Sequence, residues 1–264
     1  MKVYISVDME GATGICSAEQ CRKDSPMFTE ARQLLLSDVN AAVDGAFAGG
    51  AVEVIVADMH NGSFNLPHMD VDSRAKVIYG TPHYGPRLPF LDESVDVMFL
   101  IAYHAKAGTL HGTLEHTMSS QDWYKLEVNG TEIGEIGVEA ALAGSVGVPV
   151  VMVTGDDKLC NEAKTLLGNI EAVEVKKGVG RQRALCLSIG DTKKMIFEGA
   201  KKAMLLKDKV KPFKFASPVE VALTLKSTAY ADGISPLNNP NVKRIDGCTV
   251  VSSYTSFPDW VGGM

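Results

Sequence analysis

Asp8 and Glu10 come directly after the apolar run at residues 3–7. Residues two apart in an extended chain project to the same side, so both carboxylates can face one point. Two further apolar runs end in the same way. Residues 52–57 lead into Asp58-Met59-His60-Asn61-Gly62, and residues 95–102 into Tyr103-His104. Neighbouring carboxylates repel unless a proton or cation lies between them, and a divalent ion removes that repulsion. A mixed imidazole and carboxylate set suits Zn²⁺, with Mn²⁺, Co²⁺ or Fe²⁺ as alternatives, whereas Mg²⁺ and Ca²⁺ favour oxygen donors alone. If one carboxylate bridges, two metals can sit about 3.5–4 Å apart and activate a shared water. Each residue also has an ordinary role open to it, the acids as caps or ion-pair partners and the histidines as loop residues. Their recurrence at equivalent strand ends is what favours a common metal centre.

A second dense stretch is His111-Gly112-Thr113-Leu114-Glu115-His116-Thr117-Met118-Ser119. His116 is a candidate for proton transfer because an unperturbed imidazole titrates near neutrality. His111 and Glu115 are rivals, and the residues alone do not choose among the three. Asn61 and Thr117 either orient substrate or simply fill polar loops. Other chemistries lack their motifs: Gly11-Ala12-Thr13-Gly14 does not have dinucleotide spacing, and neither a phosphate-loop nor a Gly-X-Ser-X-Gly sequence occurs. Cys16 and Cys21 lie in a polar loop with no histidine nearby in sequence, which argues against a nucleophilic thiol.

For such tips to meet, their strands must lie side by side. Short apolar runs at residues 3–7, 52–57, 76–79, 95–102 and 149–154 alternate with helical patterns. Among these patterns is residues 28–48, where Ala31, Leu34, Leu35, Val39, Ala42, Val43 and Ala46 keep helical spacing before Gly49-Gly50. This predicts an α/β fold, a mostly parallel sheet with helices on both faces, in which ligands bind beyond the carboxyl ends of the strands. Residues 124–133 read as a hairpin around Asn129-Gly130. Further on come short strands at 171–175 and 184–187, an amphipathic helix at 191–206, and strict alternation at 219–226. The reading is an α/β metal-binding domain over residues 1–159 and a smaller α+β domain over 160–264, whose end from Ser252 onward shows no closing helix.

Bulk properties narrow the partners. With 264 residues, 45% hydrophobic and 22% charged, the chain can build a core without covalent staples. A formal net charge of −6 argues against nucleic acid. The basic residues Lys201, Lys202, Lys207, Lys209 and Lys211 are interrupted by apolar ones and read as a solvated helix face with its trailing loop. Five cysteines without metal-knuckle spacing fit free thiols, and no apolar run is long enough to span a bilayer. The expected location is cytoplasmic, with no membrane partner.

Ser6-Val7-Asp8-Met9-Glu10-Gly11, Asp58-Met59-His60, Tyr103-His104-Ala105, Glu115-His116-Thr117-Met118, Gly134-Glu135-Ile136-Gly137 and Thr154-Gly155-Asp156-Asp157, taken in order, resemble the DppA-type D-aminopeptidases. These are zinc-dependent peptidases, also known as dipeptide transport proteins. The resemblance covers nearly the whole chain. It implies that Asp8 bridges two zinc ions, that Glu10, His60, His104 and Glu135 complete their coordination, and that His116 is the catalytic histidine. Without it, Glu135 reads as a first-turn helix acid that offsets the helix dipole. The resemblance also implies a homo-oligomer, a ring-stacked decamer with active sites facing an internal channel. The resulting expectation is an aminopeptidase acting on small peptides, D-residues preferred. The alternatives are a two-metal hydrolase of another amide or a phosphoester, and a peptide-binding protein in which the metal is structural.

Overall fold

The computed structural model describes residues 1–80, 85–234 and 241–263. In chain order the elements are β1 (Lys2–Val7), α1 (Phe28–Ala48), β2 (Glu53–Asp58), β3 (Ala75–Ile78), β4 (Val97–Ile101), β5 (Trp123–Val128), β6 (Thr131–Glu132), α2 (Glu135–Ser145), β7 (Val150–Asp156) and α3 (Asp157–Leu167). They continue with β8 (Glu171–Gly180), β9 (Arg183–Cys186), α4 (Ile189–Ala203), β10 (Val219–Leu225), α5 (Thr228–Gly233), β11 (Val242–Arg244), β12 (Thr249–Tyr254) and α6 (Phe257–Val261).

The larger sheet has seven strands in the order β3-β2-β1-β4-β7-β8-β9, all parallel except the last pair. Its central strands are apolar along their whole length because helices cover both faces. β4 is buried at every residue, and so is β7. A Cβ on Gly199 of α4 would meet Val173 and Met152, whereas one on Gly155, next but two along β7, would meet Leu159 of α3. Successive side chains on a strand alternate in direction, so α4 and α3 pack on opposite faces. α1 joins α4 on its side of the sheet. From β1 the sheet grows to β2 and β3 in one direction and to β4 and β7 in the other, which makes the β1/β4 boundary a topological switch point.

The second sheet is antiparallel, in the order β11-β12-β10-β5-β6. β10 alternates buried with partly or fully exposed residues, as its period-two sequence requires. The hairpin turn between β5 and β6 places Asn129 at φ 49° and Gly130 at φ 74°, a pair of left-handed residues that Asn-Gly accepts at low cost.

α2 explains how the two sheets are joined. Ile136 and Ala140 belong to the large core, Val138 and Ala141 to the second one with Leu126, Val221, Phe257 and Trp260. A helix buried on both sides has no wet face, and apart from Glu135, Glu139 and the terminal Ser145 its sequence is apolar or glycine.

Two features differ from the sequence reading. The strands at 171–180 and 183–186 extend the large sheet rather than a unit beginning at 160, while the hairpin at 123–132 belongs to the second sheet. Sheet membership is set by non-local pairing, which a division along the chain does not register. The C-terminal segment does form a closing helix, α6, whose start is fixed by Ser256 donating from N and Oγ to Asp259 Oδ2 at 3.0 and 2.7 Å. Its Phe257 and Trp260 are buried in the second core. Among the described residues no helix is long and apolar enough to cross a membrane.

Candidate metal centre

The carboxyl ends of β1, β2 and β4 lie side by side at the switch point, and their loops bring Asp8, Glu10, His60 and His104 together. Asp8 continues β1, its N–H donating to Ile101 O at 3.0 Å. Glu10 sits one turn later. The next residue must be glycine for steric reasons: Gly11 donates to Ala102 O at 2.8 Å, and a Cβ there would fall 1.8 Å from the Tyr103 carbonyl oxygen. This contact presses the acidic turn against the His104 strand end.

His60 Nε2 lies 3.3 Å from Glu10 Oε1. Asn65 sets the ring: its Oδ1 is 3.4 Å from His60 Nδ1, and its Nδ2 donates to the His60 carbonyl at 2.7 Å and to Asp58 Oδ1 at 2.7 Å. Asp58, at the strand tip, thus buttresses the ligand loop from behind. His104 Nδ1 lies 3.0 Å from Ala105 O; if that nitrogen carries the proton, Nε2 presents a lone pair to the site. Glu135, the first residue of α2, accepts from Met118 N–H at 2.7 Å and comes within 3.3 Å of His104 Nε2 and 3.5 Å of His116 Nε2. The His104 and His116 rings stack, centroids 3.9 Å apart and planes at 11°.

The electrostatics are those of a cation site. Burial and the neighbouring Glu10 push the Asp8 carboxyl well above the usual carboxylate range, against the pull of His104 and His60. Burial also opposes ionisation of Glu10 and Glu135, but the histidines outweigh it: Glu10 is held well below its ordinary value by His60, and Glu135 at about 2 by His104. His60 is raised to about 9, because Glu10 and Asp8 overcome the desolvation that favours its neutral form. His104 is raised as well, Glu135 outweighing its burial, whereas burial and His104 hold His116 low. Within the cluster three buried atoms make no hydrogen bond: Asp8 Oδ2, Glu10 Oε2 and His104 Nε2. His104 Nε2 is 3.4 Å from Asp8 Oδ2, yet the two are not aligned to bond. Buried polar atoms left unpaired are costly, and a divalent ion satisfies oxygen and imidazole lone pairs together. Ligand atoms of Asp8, Glu10 and His104, and separately of His104, His116 and Glu135, lie within 4.8 Å of one another. The residues present therefore fit a bound metal.

The cluster lines a cavity of about 480 Å³ whose rim carries Asn61, Arg22 and Arg181. Of the three candidates for proton transfer, only His116 reaches the cluster. His111 is exposed, and Glu115 is tied to Arg181 Nη1 at 2.8 Å and to Gly108 N–H at 2.7 Å. Thr117 is buried and accepts from Ala107 N–H at 3.1 Å, a loop-packing role.

Several residues around the centre carried no local signal. Lys176 of β8 is 1% exposed, and its ammonium donates to the carbonyls of Glu10, Ala12 and Ile15 at 2.6, 2.9 and 2.5 Å. Arg87 lines the cavity and pairs through Nη2 and Nε with fully buried Glu139 at 2.8 and 2.9 Å. Glu135 and Glu139 stand one turn apart in a helix with no wet face, and that mismatch is the signal that could have identified both. Cys21, distant from any histidine in sequence, lies in space beside Glu10 and His60.

Comparison with known proteins gives a consistent result. The peptidase M55 family model, described as D-aminopeptidase, matches residues 1–264. A D-aminopeptidase of Bacillus subtilis (strain 168) is 32% identical over 253 residues, covering 95% of this chain and 90% of that protein. Among solved structures, the Zn-dependent D-aminopeptidase DppA from Bacillus subtilis, a self-compartmentalizing protease, superposes with a TM-score of 0.93 at 28% identity, over 98% of this chain and 93% of the other.

Proposed function

The chain belongs to the D-aminopeptidase family of M55 peptidases, and from that footing we propose that it removes the N-terminal residue from small peptides and that Asp8, Glu10, His60, His104 and Glu135 would hold two zinc ions. It is a metal-dependent aminopeptidase. Asp8, Glu10, His60, His104 and Glu135 would together hold the ions, with Asp8 and Glu10 sharing one group of donors with His104. When bound, zinc supplies Lewis acidity for the scissile carbonyl and for the attacking water. The protein's own groups do the rest. Asn65 orients the His60 ring, Lys176 fixes the turn carrying Glu10, and the cavity walls hold the peptide. His116 stays neutral at neutral pH, so its Nε2 can take a proton from the attacking water and deliver it to the leaving amine.

The observation that carries this reading is the convergence of three unpaired buried atoms on one point at the switch of the sheet. Few basic side chains face the cluster, and those on the cavity wall, Arg22, Arg87 and Arg181, are each bound to a carboxylate, which favours peptides over phosphoesters. Preference for D-residues, a cytoplasmic location and assembly into a ring-stacked decamer follow the family pattern, and the self-compartmentalizing neighbour supports an oligomer. The test is metal analysis of the purified protein with hydrolysis of D-Ala-D-Ala and L-Ala-L-Ala before and after chelation. Two zinc ions per chain, faster cleavage of the D-peptide and loss of turnover on chelation are expected. Full turnover in metal-free protein would overturn the proposal.

A further inference from the structure

We propose that Cys21 is an additional ligand to the metal held by Glu10 and His60. Its Sγ lies within 4.8 Å of a carboxylate oxygen of Glu10 and a ring nitrogen of His60, and these two atoms lie within the same distance of each other. The thiol ends the short 3₁₀ turn Ala18–Cys21, is 6% exposed and forms part of the cavity wall. The turn is fixed at its start, where Gln20 Oε1 accepts from Cys16 and Ser17 N–H at 2.8 and 3.0 Å, so the sulfur is delivered by a rigid segment. A second observation points to a ligand there: Glu10 Oε2, on the acid that the thiol faces, is buried without a partner, and so is Oδ2 of the neighbouring, deeply buried Asp8.

A neutral thiol facing two carboxylates in a buried wall gains little. Without a cation, burial and then the charges of Glu10 and Asp8 keep it protonated. A cation inverts that balance, since Cys21–SH and Zn²⁺ give a Cys21 S–Zn bond with release of one proton to solvent. The carboxylate, imidazole and sulfur donors would then surround the metal from three separate loops. The two metal positions become chemically unlike, one with sulfur and one with only nitrogen and oxygen donors. Soft sulfur favours Zn²⁺ and Co²⁺ over Mn²⁺, so Cys21 makes its position selective.

The inference rests on the proposed metal centre, and the experiment separates the two. The full-length protein is loaded with Co²⁺, its stoichiometry is measured, and its near-ultraviolet spectrum is recorded. The wild type is expected to bind Co²⁺ with thiolate-to-cobalt charge-transfer absorption. Cys21→Ser should lose that absorption and bind Zn²⁺ about tenfold or more weakly at one position, with less discrimination against Mn²⁺. Cys16→Ser should retain the absorption. Cys21→Asp should recover affinity without it, which shows that a lost signal is not a lost fold. A wild-type protein that binds Co²⁺ with no such absorption, or a Cys21→Ser variant that keeps it, overturns the role of Cys21 alone. A chain that binds no Co²⁺ overturns the metal centre with it.

Discussion

Lys176 offers the sharpest test of how this site is held together. Its ammonium is buried in β8 and donates to three main-chain carbonyls of the turn at residues 10–15, those of Glu10, Ala12 and Ile15. Lys176→Met keeps the length and apolar stem but leaves the three acceptors without their donor. Each unsatisfied buried acceptor costs about 1–3 kcal/mol. Against this stands the relief of a buried charge, whose desolvation already lowers the Lys176 pKa. The net loss is put at about 3–5 kcal/mol, the usual range when one partner of a buried charged interaction is removed. At about 2–4 °C per kcal/mol for a domain of this size, Tm should fall by roughly 6–20 °C. The turn also carries Glu10, so metal affinity should fall by about 10–100-fold, as for other supporting groups around a metal. Calorimetry of the metal-loaded protein and a competition titration for zinc measure the two effects. A variant melting within about 2 °C of wild type with unchanged zinc affinity would show that the turn holds itself, and the reasoning would fail.

Chelation should lower Tm as well as activity: a ligand present at about 1,000 times its Kd stabilises by about 4 kcal/mol, and its removal should be visible in a melting curve. His104→Ala should lose metal and turnover together, whereas His116→Ala should keep metal content while kcat falls by about 10²–10⁴-fold. Loss of metal in the His116 variant would make that residue a ligand instead. Stability should also decline as pH rises from about 4 to about 6. Burial raises the Asp38 carboxyl from 3.8 to about 6, against the Thr13 hydrogen bonds that favour its anion, so in that window the folded chain holds a proton that the unfolded chain has released. The full effect is roughly 3 kcal/mol at 1.36 kcal/mol per unit. Asp38→Asn should reduce the slope, leaving the part due to the other carboxyls that burial raises, Glu162 to about 6 with Glu139 and Asp8; an unchanged slope would refute the assignment. Trp260→Ala should destabilise by about 3–5 kcal/mol through the cavity left in the second core, read by denaturant titration.

The parts of the site legible in the sequence are those where one local pattern carries both position and chemistry. Asp8, His60 and His104 each end an apolar run, and parallel pairing brings equivalent ends together, so three candidate ligands could be placed without knowing the path of the loops. The same logic fails for Glu135, which reaches the centre from the start of a helix entered through the second sheet, and for Lys176, whose partners lie more than 160 residues away. Nothing in a strand reading Val-Glu-Val-Lys-Lys says which lysine turns inward. The sheet membership of the strands at 171–180 and 183–186 escapes the sequence for the same reason. β8 and β9 are mixed in composition, and only the pairing of β8 with β7, and of β9 with β8, reveals the sheet to which they belong.

The stacked histidines bear on the proposed division of labour, in which one of two adjacent rings binds metal and the other moves protons. Imidazoles 3.9 Å apart and nearly parallel cannot both carry positive charge at low cost. His104 lies nearer the acids: Glu135 and Asp8 surround its Nε2, and the cation is stabilised there. His116 is less buried, has only Glu135 among the acids within 4 Å of its Nε2, and is held neutral by its own desolvation and by the charge on its neighbour. Replacing the proton on His104 by a metal ion leaves that relation unchanged in sign, since the neighbouring charge is still positive. A neutral His116 at working pH thus follows from its burial, reinforced by the stack whichever cation occupies the other ring, and neutrality is the condition a general base requires.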